Sequence, residues 1–341
     1  MPEDDLDKEI AVSAELLPNG LKAGAKSRTL AAVDRLGGNL VELLNVRIEE
    51  WTSRRRAIIK GKAALIEAAV SKAISDSDDD ATILGGVFVA SFKDMMRKQE
   101  NKDGVIIAAL EELRDGRLES DAESDIQEPI SEDFLSRFET FAEGASTEEL
   151  RARWGRVLAA EIRKPGTFSR KVLRIVDEID ASTAALFEDV CKYRIGSYLP
   201  LCILRELTYP DRLSLEGAGL LEDDQGLVTK PAIARSPEDA PEAWVIILEN
   251  YAFEVEKKGL QAKKTFAARK EPIILEGDGV AMPVSILTPS GRAIASILPD
   301  RQDDAARLVS DELAKVANSH MVRELVPGTA TYRFRYRRGG D

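Results

Sequence analysis

The sequence predicts a predominantly helical α+β protein, and three observations carry that reading. Apolar residues recur at steps of three and four through residues 27–73, 92–113 and 146–191, the mark of amphipathic helices. Beyond residue 196 the pattern changes to short β-type runs separated by Gly and Asp turns. At 341 residues, 44% hydrophobic and 32% charged, the chain is long and apolar enough to build two or three cores.

Residues 1–26, with "LLPNGLKAGAK", read as a flexible lead-in. A long-helix region is expected over 27–116. Leu30, Val33, Leu36, Leu40, Leu43, Leu44 and Trp51 form its first apolar stripe, which Gly37 and Gly38 should weaken or bend. The basic cluster "RRRAIIKGK" follows, with Arg54, Arg55 and Arg56 at its head. It reads as a solvated face balanced by Glu49, Glu50 and Glu67, or as a contact for an anion, a nucleic acid or a lipid headgroup. "SDSDDDA" (75–81) reads as a loop or a helix start, because its spacing and lack of a turn Gly do not fit a calcium loop. Helical periodicity resumes over 92–113, and the acidic stretch 117–133 reads as a linker.

The central helical block, 134–195, holds the most specific stretch, "RARWGRVLAAEIRKPGTFSRKVLRIVDEID". Ser146 with Glu149 makes an S-x-x-E capping box that predicts a helix start. Leu150, Trp154, Val157, Leu158 and Ile162 fall on one side of that helix, and Pro165-Gly166 ends it. Thr167 or Ser169 can cap the next helix, and a third is expected after Ser182. Trp154, Pro165 and Gly166 are therefore a structural signature: a core anchor followed by a helical hairpin. Glu161 and Lys164 have no nucleophile brought to them by the sequence, so no catalytic residue is assigned there.

Residues 196–341 are expected to form one further domain. "LSLEGAGLLEDDQGLVTK" reads as a short helix, a turn and a strand, and "EPIILEGDGVAMPVSILT" as a hairpin about Gly277-Asp278-Gly279. "TPSGRAIASIL" then reads as a capped helix. That order is the rhythm of a winged helix with an enlarged β wing. In the tail "TYRFRYRRGGD", strict alternation would put Tyr332, Phe334 and Tyr336 on one face and Arg333, Arg335 and Arg337 on the other. An edge strand blunted by arginine explains this, and a nucleic-acid contact is the alternative.

Composition narrows the chemistry. There are 48 Lys and Arg against 60 Asp and Glu, for a net charge of −12, so nucleic acid and anionic membranes should be repelled except at a local basic patch. His320 is the one histidine, which argues against His-based zinc sites and Ser–His–Asp chemistry. Neither a phosphate-cradling glycine loop nor a CxxC pair is present, and Cys191 and Cys202 suit a reducing cytosol. No cofactor and no metal are predicted. The acidic start "MPEDDLDKEI" does not suit a secretory signal, and the run "ATILGGVFVASF" (81–92) is far short of the roughly 20 residues that span a bilayer. A cytoplasmic location without a transmembrane segment is expected.

Five stretches, "RKQENKDGVIIAALEEL", "STEELRARWGRVLAAEIRKPGTFSRKVLRIVDEIDASTAALFEDVC", "LEGAGLL", "ILTPSGRAIASIL" and "VPGTATYRF", give the chain a family likeness from about Ser27 to Tyr336. In their order it resembles the bacterial domain-of-unknown-function 2806 family (DUF2806). The Trp-Leu-Ala helix and the one after it also resemble, more distantly, the Abi-alpha group associated with abortive phage infection. The first resemblance implies a bacterial setting and assigns no activity. With it, the sequence favours a non-enzymatic scaffold or sensor working through a protein partner or as a homo-oligomer, with a role in phage defence implied by the second resemblance. The alternative is a DNA-binding regulator using the winged helix. A metal-dependent nuclease built on Glu256 in "FEVEKK" is a remote third, and a peripheral membrane contact of the Leu-rich stripe beside Arg54 is a variant of the first.

Overall fold

The computed structural model describes residues 23–37, 79–115, 128–223, 226–236, 241–263, 269–326 and 329–339, with the single positions 57, 61, 64 and 68. Among these residues the protein is α+β, with nine helices and two antiparallel sheets. They divide into two compact units, one ending at Arg170 and one starting at Lys171. The block read as 134–195 therefore splits just after the Pro165-Gly166 turn, because its last two helices belong with the sheets.

The first unit is helical: α1 (Ala23–Gly37), α2 (Asp79–Asp115), α3 (Glu132–Gly144) and α4 (Glu148–Arg163). α1 begins within the expected lead-in and buries Ala25, Arg28, Thr29, Ala32, Val33 and Leu36, a three-and-four spacing that packs one face. α2 is a single helix of 37 residues, about 55 Å long. It starts inside "SDSDDDA", where aspartates complement the positive end of the helix dipole. α3 starts at Glu132, inside the expected linker, with Ile130 already buried.

The start of α4 lies one residue beyond the expected cap. Thr147, with φ −107° and ψ 159°, is the N-cap, and its hydroxyl accepts from the Leu150 N–H at 3.2 Å. With Leu150 at the third helical position no carboxylate can return the bond, so a single capping bond replaces the expected box. Trp154 is buried, with Phe138 edge-on at 5.7 Å and Phe141 stacked at 4.9 Å between ring centroids. Beside it Gly155 lets α4 lie directly on α2: a Cβ there would stand 2.5 Å from the Ala108 Cβ and 2.9 Å from backbone atoms of Ala108 and Ala109.

The second unit opens with α5 (Arg170–Glu178) and α6 (Ala181–Cys191). α6 is capped by Asp180 rather than started after Ser182, because the Asp180 carboxylate accepts from both the N–H (2.8 Å) and the hydroxyl of Thr183. Those bonds, with one from the Ser182 hydroxyl, hold its pKa far below the usual carboxylate range. Next come β1 (Tyr198–Pro200), α7 (Tyr209–Gly217), β2 (Thr229–Pro231), β3 (Ile233–Arg235), β4 (Ala243–Leu248) and β5 (Tyr251–Glu256). The chain continues with β6 (Ile274–Glu276), β7 (Gly279–Ile286), α8 (Pro289–Ala295), α9 (Gln302–Leu313), β8 (His320–Leu325) and β9 (Tyr332–Arg338).

One sheet has the order β1-β7-β2, with β6 also paired to β7, and the other has the order β3-β4-β5-β8-β9. The expected β6–β7 hairpin turns through Gly277-Asp278, with Glu276 opposite Gly279 and Gly277 at φ 57°. Ile246, Phe253, Val255, Met282, Val309 and Val322 lie at the heart of the core these strands share with α9.

The tail strand departs from strict alternation. Val322 faces Tyr336 but Arg323 faces Phe334, so Arg335 is the extra residue of a β-bulge. The inserted residue reverses every side chain beyond it. Tyr336 lies on the Val322 face, whereas Phe334 and Tyr332 lie on the opposite one, and Phe334 is 56% exposed. The expectation of three aromatics on one face is thereby overturned.

Gly155→Ala should destabilise the helical unit by about 1–3 kcal/mol through overpacking, although alanine is the better helix former. Urea unfolding followed by Trp fluorescence checks this; unchanged or raised stability would contradict the close α2–α4 approach.

Candidate functional site

The signature turn is the most elaborately built feature of the helical unit. Once α4 ends at Arg163, the chain must turn, and N–H groups of the turn need acceptors. Glu161 supplies them from inside the helix. It is buried, and its two carboxylate oxygens accept from the Gly166 N–H at 2.7 Å and the Phe168 N–H at 2.9 Å. Gly166 has φ 81°, a backbone conformation that favours glycine, and Pro165 donates no N–H that would need a partner. Burial raises the Glu161 pKa, and the backbone donors oppose that rise.

The carbonyl end of α4 is satisfied from another helix. The buried Arg28 of α1 donates Nε to the Ile162 carbonyl at 2.5 Å and Nη2 to the Arg163 carbonyl at 3.2 Å. A cation there also complements the negative end of the helix dipole. Arg28 was not singled out from the sequence; the available signal was one cation at a position whose three-and-four neighbours, Ala25 and Ala32, are apolar. Nearby, Asn101 and Arg151 tie α2 and α4 to the end of α3: Arg151 donates to the Asn101 side-chain oxygen at 2.8 Å and to the Ala145 carbonyl at 3.1 Å, and Asn101 donates to the Glu143 carbonyl at 2.7 Å. Trp154, Pro165, Gly166 and Glu161 thus fall within one short stretch whose visible chemistry is structural.

Arg54, Arg55 and Arg56 lie outside the described residues. The tail arginines are brought together, and Arg333, Arg335 and Arg338 are matched by carboxylates. Arg333 donates to Glu324 at 2.8 Å, and Arg335 reaches Glu324 at 2.7 Å and Asp303 at 3.1 Å. Arg338 pairs with Asp311, and Arg337 donates to the Ser319 hydroxyl at 3.1 Å. The bulge is what aims Arg335 toward Asp303, where the Tyr251 hydroxyl also donates.

His320 sits buried with its Nε2 2.6 Å from the Ser310 hydroxyl, and its pKa is lowered by burial. Its Nδ1 has no hydrogen-bond partner among the described residues, so the pair lacks the acid that would orient a catalytic imidazole. Burial pushes the thiols of Cys191 and Cys202 up to about 12, which makes both poor nucleophiles. Glu254, two residues before Glu256, accepts from Arg235 and Arg323. Among the described residues no three His, Cys, Asp or Glu side chains group to hold a metal ion, and no helix is long and apolar enough to cross a membrane.

The outer face of α7 has a different character. Tyr209 is 77% and Leu213 55% exposed, one helical turn apart. The arginines around them are matched: Arg212 to Glu216 at 2.8 Å, and Arg205 to Asp189 at 2.9 Å and Asp211 at 3.4 Å. The sequence reads here as a short helix, and the Tyr209–Leu213 pair was not singled out, although the four-residue spacing was there to find.

Glu161→Gln should cost about 1–3 kcal/mol at neutral pH, because an amide has one acceptor oxygen and leaves a turn N–H unpaired. A folded-state pKa raised above the unfolded value contributes stability below the ordinary carboxylate range and loses it as pH rises through the folded value. The wild type should therefore gain on the Gln variant as pH is lowered from neutrality. Paired urea titrations across that range measure the difference, and a gap that narrows on acidification would contradict it.

Residues 91–197, about a third of the chain, match the family model described as "Protein of unknown function (DUF2806)". No curated protein and no solved structure matches the chain. The matched segment holds the packed part of α2, all of α3 and α4, the Glu161 turn, and α5 with α6. That segment is what the chain shares with the DUF2806 family.

Proposed function

We propose that this chain is a non-enzymatic bacterial scaffold or sensor that works by binding another protein, with the outer face of α7 as the contact. The observation that carries the reading is the exposure of Tyr209 and Leu213 together on that helix. Tyrosine and leucine in adjacent turns offer an aromatic and aliphatic anchor for a partner's pocket, the kind of contact that dominates protein interfaces. Cations in position to touch phosphate are here committed to carboxylates.

A second reading, a DNA-binding regulator, draws support from topology. The order β1-β7-β2, with α7 between β1 and β2, is compatible with a winged helix whose wing would carry the added strands β3 to β6. In that layout α7 would enter the major groove, and phosphate contacts would come from cations around it. Ion pairs at Arg205, Arg212, Arg333 and Arg335 weigh against it, since each would have to open.

Low-salt affinity purification from the native host, run beside a Tyr209→Ser/Leu213→Ser variant, tests both. Protein partners retained by the wild type and lost by the variant are expected, with folding checked by circular dichroism. Stoichiometric nucleic acid retained by both would replace this reading with the second. From the Abi-alpha resemblance we infer a setting in phage defence; equal plaque counts with and without the gene across a phage panel would remove that setting.

A further inference from the structure

We propose that His320 is a proton-operated latch, which holds α9 on the five-stranded sheet and releases it on acidification. The imidazole is 2% exposed at the first position of β8, and its Nε2 lies 2.6 Å from the hydroxyl of Ser310 on α9. Ser310 is itself buried. The Nδ1 of His320 is buried with no hydrogen-bond partner among the described residues. A neutral imidazole tolerates this, because one of its nitrogens carries no proton. An imidazolium carries two N–H donors, and the second would meet no acceptor.

The groups around the ring give a positive charge no answer. On β9, Arg338 stands opposite His320 in register, and Tyr336 lies two residues before it on the same face. On β5, Val255 stands opposite, and its neighbours Glu254 and Glu256 point to the other face of the sheet. On α9, Asp311 follows Ser310 but is paired with Arg338, Glu312 is paired with Lys315, and Arg307 is within electrostatic reach of Tyr336. Burial accordingly lowers the His320 pKa. A histidine whose folded pKa lies below the ordinary 6.5 contributes stability above that value and loses it as pH falls through the folded one.

What yields is set by how each element is held. β8 is laddered on both sides, to β5 and β9, so the sheet resists opening. α9 is held by side chains: Ala305, Ala306, Val309 and Leu313 in the core, and ion pairs from Asp303 and Asp311 to β9. Two of those four core residues are alanines, which bury little apolar area. Charging the ring therefore lifts α9. Its departure takes Asp303 from Arg335 and Asp311 from Arg338, so the edge strand gains positive charge as pH falls.

The latch lies apart from the α7 face and stands whether or not α7 binds a partner. Hydrogen exchange of the full-length chain at about pH 7.5 and about pH 5, corrected for the intrinsic rate of each amide, tests it. Protection of α9 should fall about tenfold or more at the lower pH, while that of α2 and α4 does not fall. His320→Gln, which can still bond Ser310 and takes up no proton, should abolish the fall. His320 is the one histidine, so its ring-proton resonance in the untagged wild type reports the charge directly, whether or not the Gln variant folds. That resonance should shift at the pH where α9 loses protection. Equal α9 protection at both pH values, a ring that titrates with α9 still protected, a fall that persists in His320→Gln, or equal losses in α2, α4 and α9 would each overturn the proposal.

Discussion

The helical unit depends on how α4 is allowed to end. A helix terminus leaves carbonyls without partners, and the tight turn after it adds N–H groups in the same position. Here Ile162 and Phe168 are buried while Arg163 and Gly166 lie at the surface, so water can serve only part of each set. Arg28 answers the carbonyls of Ile162 and Arg163, and Glu161 answers the N–H groups of Gly166 and Phe168. Each of these charges would be costly to bury alone and is held by fixed dipoles instead. With the terminus satisfied, Trp154 can sit two helical turns before Glu161 against Phe138 and Phe141, and Gly155 can bring α4 onto α2.

The C-terminal unit solves a different problem, that of a sheet edge rich in arginine. Seven residues of β9 would leave an open ladder and four cations beside it. One inserted residue, Arg335, breaks the alternation, and carboxylates from β8 and α9 take up the charge of Arg333, Arg335 and Arg338, while Arg337 donates to the Ser319 hydroxyl. The outcome is a cationic sequence that forms an ion-pair network. A row of arginines read as a line of letters suggests phosphate, whereas the same row beside Glu324, Asp303 and Asp311 is already engaged.

Exposed apolar side chains follow one another at helical spacing on two helices. Tyr209 and Leu213 project from α7, and Val87 and Met95 from α2. Scattered exposed hydrophobics are ordinary, but neighbours on one face are the pattern that binding sites share. This is why association rather than catalysis organises the functional reading.

Much of the architecture was legible in the sequence, since amphipathic spacing and turn chemistry are local. The helix through Trp154, its stop at Pro165-Gly166, the Gly277-Asp278 hairpin, the α7 and α8 helices and the DUF2806 likeness all follow from residues within a few positions of one another. Three matters were decided only by tertiary structure. Arg28 meets the end of α4 across more than a hundred residues, and no local pattern encodes that encounter. The bulge at Arg335 depends on how β9 registers with β8, so strict alternation predicted the wrong faces for its aromatics. The division of the central block after Arg170 depends on what each helix packs against, which periodicity leaves open. Periodicity reports which face of an element is apolar; partner, register and charge neutralisation are fixed by non-local contacts that no short window contains.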